Sequence, residues 1–343
     1  MRVLILHSQV PFESGGAEVL VYGLRDALVE RGHQADVVGL PLSWYPAERL
    51  LRSALAWRLL YVEEANGRPI DLVICTKFPT WAVKHPRKIL WLVHQHRQAY
   101  DLYGTSVSDF GPGAEDQAIR EAVVAVDNNG IGECERRYAI SKNVAERLKR
   151  FNGLDAEVLY PPVEDRELRP DAYEPFVLSA ARLDELKRIE AVIRAWPLVA
   201  EPLRLVVASD GPLRSRLEGL VTSLGVSHRI DFVGRVPDEE LARLFRECRA
   251  VYYAPVDEDY GYVTVEAHAA GKPVITSADA GGVLEFVQHG ETGLVTELDP
   301  EPLAEAINAY QDEATARRHG MCGRERTRPN SWDDVVAALL GEQ

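Results

Sequence analysis

The sequence predicts an α/β chain of two Rossmann-like halves facing a cleft, and three observations carry that prediction. Short apolar stretches rich in β-branched residues alternate with longer segments of helical period, first over residues 2–160 and again from residue 176 onward. Such unbroken apolar runs are what parallel strands buried on both faces require. The alternation breaks once, at Pro161-Pro162-Val163, where two prolines forbid a central strand. At 343 residues the length suits about two domains, and 46% hydrophobic residues supply two cores.

In the first half, Arg2–Leu6 reads as a buried strand, Pro11 to Glu18 as a loop, and Ala17–Arg31 as a helix stopped by Gly32. Ala35–Leu40 is the next strand, which completes a βαβ unit. The loop holds only Gly15-Gly16 and is not the G-x-G-x-x-G dinucleotide fingerprint. Pro46–Ala65 reads as one helix carrying Arg49, Arg52, Trp57 and Arg58; a basic, aromatic helix can lie on a membrane surface, but the preferred reading packs it on the sheet with its arginines outward. Asp71–Thr76 and Lys88–His94 are further strands. The second ends in His94-Gln95-His96-Arg97, and ligands of open α/β sheets sit beyond the carboxyl ends of strands. Gln98–Gly113 has no helical period, and Arg97, Tyr100 and Tyr103 are candidate substrate contacts there. Ala114–Asp127 is helical, Tyr138–Ser141 a strand, Lys142–Phe151 a helix capped by Ser141, and Glu157–Tyr160 the last strand.

The second half restarts with strand Phe176–Ala180 and a helix ending near Val199. Between them stand Arg182 and Lys187, a forked donor and a compact charge suited to a diphosphate. Leu203–Ala208 is a strand, Asp210-Gly211-Pro212 turns into a helix, and strand Arg229–Val233 ends in Gly234-Arg235-Val236-Pro237. Asp238 is expected to cap the helix that follows. Strand Ala250–Pro255, a loop, a helix opening near Val263 and strand Pro273–Thr276 come next. Pro300–Tyr310 is helical, Arg317–Arg328 basic, and Trp332–Leu340 a terminal amphipathic helix.

The formal net charge of −14 argues against general nucleic-acid binding, and it obliges any anionic ligand to find local cations and backbone donors. Four scattered cysteines make no C-x-x-C pair, so a reduced chain without zinc is expected. The N-terminal strand is too short for a secretory leader, and no stretch approaches a membrane span. A cytoplasmic place follows, with the inner face of the membrane left open.

The densest chemistry lies in Asp257-Glu258-Asp259-Tyr260-Gly261-Tyr262-Val263-Thr264-Val265-Glu266-Ala267. Seven residues separate Glu258 from Glu266, across a helix start whose N–H groups can seat a phosphate. This stretch resembles the E-x7-E signature of the retaining GT-B glycosyltransferases of family GT4 (glycosyltransferase group 1). Asp259 replaces the usual Gly and Val263 the usual Pro. Arg182 to Lys187 resembles the family's G-R-L-x-x-x-K-G segment, with Ala181 and Arg188 where glycines are usual. Gly15-Gly16-Ala17-Glu18 resembles its G-G-A-E loop, and Asp210-Gly211-Pro212 its G-x-G-P turn.

The resemblance implies a GT-B fold. It implies an acceptor-binding domain over 1–165, a nucleotide-sugar domain over 166–328, and a helix over 329–343 crossing back to the first domain. It implies retaining transfer of a hexose from a UDP- or GDP-sugar to a glycan, lipid-linked or small-molecule acceptor, in cell-surface polysaccharide or glycolipid synthesis. Arg182 and Lys187 would neutralise the departing diphosphate, Glu258 would hold sugar hydroxyls and Glu266 the ribose. His94, with His96 as alternate, would contact the sugar. Gly15, Gly16, Asp210, Arg235, Val236, Gly261, Tyr262, Val263 and Thr264 would line the donor site.

No cofactor and no metal are expected, although Asp257-Glu258-Asp259 is literally D-x-D. Peripheral membrane contact is allowed but not required. The rival readings are a hydrolase using Glu258 and Glu266, a GT-B-type sugar-nucleotide epimerase, and a non-catalytic sugar-nucleotide binder.

Overall fold

The computed structural model describes every residue except 13, 14, 164–166, 328, 329 and 343. The chain divides into two compact units, Met1–Pro162 with Asn330–Gln343, and Val163–Pro329. The sequence-based boundaries at 165/166 and 328/329 fall outside the described residues.

The first unit begins with β1 (Arg2–Gln9), α1 (Gly16–Glu30), β2 (Gln34–Pro41) and α2 (Glu48–Leu59). A two-stranded hairpin follows, β3 (Glu64–Ala65) and β4 (Arg68–Pro69), then β5 (Leu72–Lys77), β6 (Lys88–His94), α3 (Ala114–Gly132), β7 (Arg136–Ala139), α4 (Lys142–Asn152) and β8 (Glu157–Val158). The expected helix over Pro46–Ala65 is therefore cut short. Asn66 and Gly67 both have positive φ and turn the chain into the hairpin, which is the strongest short hairpin signal a sequence carries.

The six-stranded sheet is parallel, in the order β2-β1-β5-β6-β7-β8. All six residues of β5 are buried. Each fully buried Ile or Leu of this kind contributes roughly 2 kcal/mol of apolar burial. Ser141 caps α4, its Oγ accepting from the Val144 N–H at 3.0 Å. Strand order turns about β1, whose neighbours β2 and β5 lie on either side, and this is the switch point at which such sheets bind ligands.

The second unit comprises β9 (Phe176–Ser179), α5 (Ile189–Ala195), β10 (Arg204–Val207), α6 (Arg214–Ser223), β11 (Ile230–Phe232), α7 (Asp238–Glu247), β12 (Ala250–Tyr252), α8 (Tyr262–Ala269), β13 (Val274–Thr276), β14 (Gly293–Val295), α9 (Pro300–Asn308) and α10 (Glu313–Arg326). Its sheet is also parallel, β11-β10-β9-β12-β13-β14, with the switch point between β9 and β12. Asp238 is the first residue of α7 rather than its cap; the capping position falls on Pro237, which offers no side-chain acceptor. As far as Arg326 the basic segment lies inside α10, whose buried side is made of Ala316, His319, Gly320 and Gly323; Arg328 lies outside the described residues.

The last helix, α11 (Trp332–Leu340), returns to the first unit. Ser331 and Asp334 form a reciprocal cap at its start. Arg136 and the Tyr138 hydroxyl donate to the carbonyls of Ala338 and Leu339 at its end. Trp332 meets Trp91 edge-on, with centroids 6.4 Å apart, and lies so close over α1 that a Cβ on Gly23 would come within 2.6 Å of its ring.

Candidate functional site

Each unit concentrates charge at its own switch point. In the second unit the chain leaves β9 through Arg182 and makes one 3₁₀ turn, Glu185–Lys187, capped by the Asp184 carboxylate, which accepts from the Lys187 N–H at 3.1 Å. This segment is fixed from behind by the turn Asp210-Gly211-Pro212. The Leu183 N–H donates to the Asp210 carbonyl and the Leu213 N–H to that of Leu183. A Cβ on Gly211 would lie 2.5 Å from the Leu183 carbonyl oxygen, so only glycine fits.

Arg188 then takes a left-handed conformation, φ 52°, ψ 37°. The family usually has glycine here because such φ is strained for other residues. In this chain the side chain compensates. The Arg188 guanidinium donates to the carbonyls of Ala254 and Pro255, to Ser277 Oγ and to both oxygens of Asp279. It thereby ties the start of α5 to the loop after β12.

That loop carries Glu258, which forms an ion pair with Lys187, while Lys187 Nζ also lies 3.4 Å from the Tyr253 hydroxyl. Burial opposes the lysine charge, yet Glu258 and Tyr253 hold the ammonium well above its usual range. The Glu258 backbone is clamped by the glycine pair after β13. The Glu258 N–H donates to the Ala280 carbonyl, and the Gly282 N–H to the Glu258 carbonyl at 2.7 Å. A Cβ on Gly282 would stand 2.6 Å from the Asp259 carbonyl oxygen. Gly261, at φ 85°, opens α8, which has no side-chain cap and no acid in its first turn. Tyr262, Val263 and Thr264 form that turn and Glu266 the next. Tyr260, by contrast, is buried between the rings of Tyr262 and Phe286 and packs the loop.

The structure brings Lys187, Glu258 and Tyr253 together; Arg182 begins the segment that carries Lys187, and Gly261–Thr264 follow Glu258 in the chain. Asp210 belongs to the supporting turn, accepting from the Gly211 N–H and lying 3.4 Å from Arg214. Arg235 is exposed after β11, beside Val236. Among the described residues no group of three His, Cys, Asp or Glu side chains is placed to hold a metal ion.

In the first unit, Gly15 and Gly16 are exposed at the start of α1. Gly15 has φ −159°, extended backbone open to any residue. What shapes this corner is Glu18. One carboxylate oxygen accepts from the Gly15 N–H at 2.9 Å; the other meets Lys77 Nζ at 3.2 Å and His7 Nε2 at 3.0 Å. Burial alone would push the Glu18 carboxyl up, but His7 and Lys77 hold it down at about 2. Neither His7 nor Lys77 was singled out from the sequence: β1 and β5 pair only in the fold, and the only signal was a lysine ending an otherwise apolar strand.

His94 sits half-buried at the end of β6, its Nδ1 2.7 Å from the Gln95 carbonyl. His96 is buried between Phe78 and Phe110, and burial, then the His94 charge, lower it to about 4. Of the candidate contacts in the following loop, Tyr100 is buried and donates to Asp127 at 2.6 Å, which makes it a core residue. Tyr103 lies under the Arg120 guanidinium, and Arg97 donates to Asp101.

Two parallel-sheet units with these switch points are the units of the GT-B fold. Sucrose-phosphate synthase from Thermosynechococcus elongatus superposes with a TM-score of 0.75 over 100% of this chain and 98% of that one, at 23% identity. HepE of Anabaena, solved with UDP and glucose, gives a TM-score of 0.73 over 100% of both chains at 18% identity. The fold is therefore α/β GT-B. Residues 162–325 match the model of the family described as glycosyl transferases group 1. An uncharacterised glycosyltransferase of Methanocaldococcus jannaschii is 26% identical over 94% of this chain and 92% of its own length. Over residues 162–325 the chain is thus similar to the group 1 glycosyltransferases.

Proposed function

We propose that the chain transfers a hexose from a nucleoside diphosphate sugar to a hydroxyl of a glycan, lipid-linked or small-molecule acceptor, with retention at the anomeric carbon and without a metal ion. The observation that carries this reading is the Lys187–Glu258 pair between the ends of β9 and β12, beside the uncapped start of α8. It offers a cation and helix N–H groups to a diphosphate, and a carboxylate within reach of the sugar joined to it. UDP and glucose in the solved structure of HepE support the same class of donor.

In the reaction the bond between the anomeric carbon and the diphosphate breaks. Negative charge grows on the departing phosphate, where Lys187, Arg182 and the Val263 and Thr264 N–H groups stabilise it. Preorganised charge of this kind is commonly the largest catalytic contribution. Glu258 accepts hydrogen bonds from sugar hydroxyls and keeps Lys187 protonated and placed. Glu266 holds the ribose, and Arg235 and Val236 border the base. In the first unit, His94, Gly15 and Gly16 are the residues that the family resemblance assigns to the donor. The acceptor oxygen bonds to the anomeric carbon on the face the diphosphate leaves, and a phosphate oxygen takes its proton, so no protein base is needed.

The test is the anomeric configuration of the product by proton NMR, recorded before it can equilibrate. An α-linked donor should yield an α-linked product together with one equivalent of nucleoside diphosphate. A β-linked product would overturn retention, and release of free sugar regardless of acceptor would favour a hydrolase.

A further inference from the structure

Two cysteines meet inside the first unit. Cys75, in β5, is fully buried, and its Sγ lies 3.6 Å from the Thr80 carbonyl oxygen. Cys134, just past the end of α3, is 4% exposed, and its Sγ lies 3.5 Å from the Gly130 carbonyl oxygen. Both acceptors belong to one packed corner. Thr80 opens the 3₁₀ turn Thr80–Ala82. Gly130 sits so close to that turn that a Cβ on it would stand 2.8 Å from the Trp81 carbonyl oxygen. Lys88, from the start of β6, closes the corner. Its Nζ donates to the Trp81 and Val83 carbonyls and to Glu133, the residue before Cys134. The thiols themselves interact, with Cys75 donating to the Cys134 sulfur.

The two sulfurs are not equivalent. The hydrogen bond from Cys75 holds the Cys134 thiol below its usual range against its burial, and Lys88 and Arg137 act in the same direction. The Arg137 guanidinium also donates to the Cys134 carbonyl at 3.3 Å. Burial first, then the Cys134 neighbour, pushes the Cys75 thiol up. The proton of the pair therefore stays on Cys75 and the reactive thiolate forms at Cys134. Buried thiols are commonly inert, as for Cys248, which burial pushes up to about 12. Cys134 differs in having cations, a second thiol and a route from solvent. A groove of about 330 Å³ between α2 and α3 is lined by Ala82, Gly130 and Glu133, so it reaches the residue that accepts from Cys134 Sγ and the residue beside it in the chain. A thiolate next to a resolving thiol is the arrangement of peroxide-sensitive cysteines.

We propose that Cys75 and Cys134 are a redox pair, in which Cys134 reacts with a peroxide and Cys75 resolves the product to a disulfide. The Cys134 thiolate attacks one oxygen of hydrogen peroxide. The O–O bond breaks, and the leaving hydroxide takes up a proton as water. This leaves a sulfenic acid on Cys134. The Cys75 sulfur then attacks the Cys134 sulfur, the S–O bond breaks, and the departing hydroxide takes the Cys75 proton. Two thiols and one peroxide give one disulfide and two waters, with two electrons passing from sulfur to peroxide. The bond ties the end of α3 to β5, two residues before Lys77, the partner of Glu18. The inference goes beyond the proposed reaction and does not depend on it, since thiols are read without donor or acceptor.

The experiment treats the folded full chain with hydrogen peroxide, blocks the remaining thiols under denaturing conditions and maps a non-reducing tryptic digest by mass spectrometry. The peptides carrying Cys75 and Cys134 should appear joined, lighter than their sum by two hydrogens, and dithiothreitol should separate them. In Cys75→Ser the Cys134 thiol should stop at the sulfenic acid and be trapped by dimedone. In Cys134→Ser the Cys75 thiol should stay reduced. Survival of both wild-type thiols at a peroxide dose that oxidises the half-buried Cys322 would overturn the proposal. So would a joined peptide that forms only in urea, or oxidation of Cys134 beyond the sulfenic acid without a bond to Cys75.

Discussion

Lys187 and Glu258, 71 positions apart in the chain, form an ion pair where β9 and β12 end side by side. Neither side chain reaches this place alone. Lys187 is delivered by the capped turn after Asp184, and Glu258 by a loop bound to Ala280 and Gly282. If the pair acts on the departing diphosphate, Lys187→Met should lower kcat by about 10²–10³-fold. The variant should lose some melting temperature, because Glu258 is left without its cation, but should stay folded, since 21% and 17% of the two side chains remain open to water. A loss of activity no larger than the unfolded fraction accounts for would make Lys187 a structural residue instead.

The turn behind Arg182 gives a second prediction. Gly211→Ala places a methyl 2.5 Å from the Leu183 carbonyl oxygen and must push the Arg182–Lys187 segment outward. Stability should fall by about 1–3 kcal/mol, and nucleotide affinity should fall further than in a control such as Gly219→Ala, where a Cβ meets nothing. Equal affinity in the two variants would separate this turn from the donor site.

Asp127 supplies a pH prediction. It is fully buried and accepts hydrogen bonds from Trp81 Nε1 at 2.9 Å and from the Tyr100 hydroxyl, with no cation bonded to it. Burial pushes its carboxyl up to about 7, against the two hydrogen bonds that favour the charged form. The folded protein therefore holds a proton that the unfolded chain has released above about pH 4. The contribution of Asp127 to stability is present below that pH and is lost as pH rises toward 7, by up to about 4 kcal/mol. Asp127→Asn lacks this loss. Urea unfolding across that window should show wild type losing stability relative to the variant as pH rises; parallel profiles would contradict it.

Glu18 has the opposite sign. Its folded carboxyl lies at about 2, below that of an unfolded chain, so its contribution is present above about pH 4.5 and disappears as pH falls toward 2. At neutral pH, Glu18→Gln leaves Lys77 without its carboxylate and should cost about 3 kcal/mol. Pairing it with Lys77→Met should recover part of that loss, because the two act on one interaction. Strictly additive melting shifts would show that the contact carries no coupling.

Much of this architecture was legible because its strands are short apolar runs with no other use: Leu72–Lys77 and Lys88–His94 could hardly be surface. Helix α10 was not, since its buried face is Ala316, His319, Gly320 and Gly323, which leave no apolar stripe. The hairpin at Asn66-Gly67 was hidden by the helical period before it. In the site, the spacing of Arg182, Lys187 and Glu258 was readable, but their supports were not. Arg188 stands where glycine is usual, and only the structure reveals that its guanidinium bonds Ala254, Pro255, Ser277 and Asp279. His7, Glu18 and Lys77 meet through β1–β5 pairing, which no local pattern announces.

Metal independence is checked with excess EDTA. If Lys187 and Arg182 supply the positive charge at the diphosphate, turnover should be unchanged. Activity lost to EDTA and restored by Mg²⁺ would assign the Asp257-Glu258-Asp259 carboxylates to a cation instead.

The most direct measurement is a thermal-shift titration with UDP, GDP, ADP and their sugar conjugates, on wild type, Arg182→Ala and Lys187→Met. A ligand at a thousand times its dissociation constant stabilises by about 4 kcal/mol. One nucleoside diphosphate should therefore raise the wild-type melting temperature by several degrees, with most of the shift missing in both variants. A folded wild type that responds to no nucleotide, or variants that respond as strongly as wild type, would contradict a donor site built on Lys187 and Glu258.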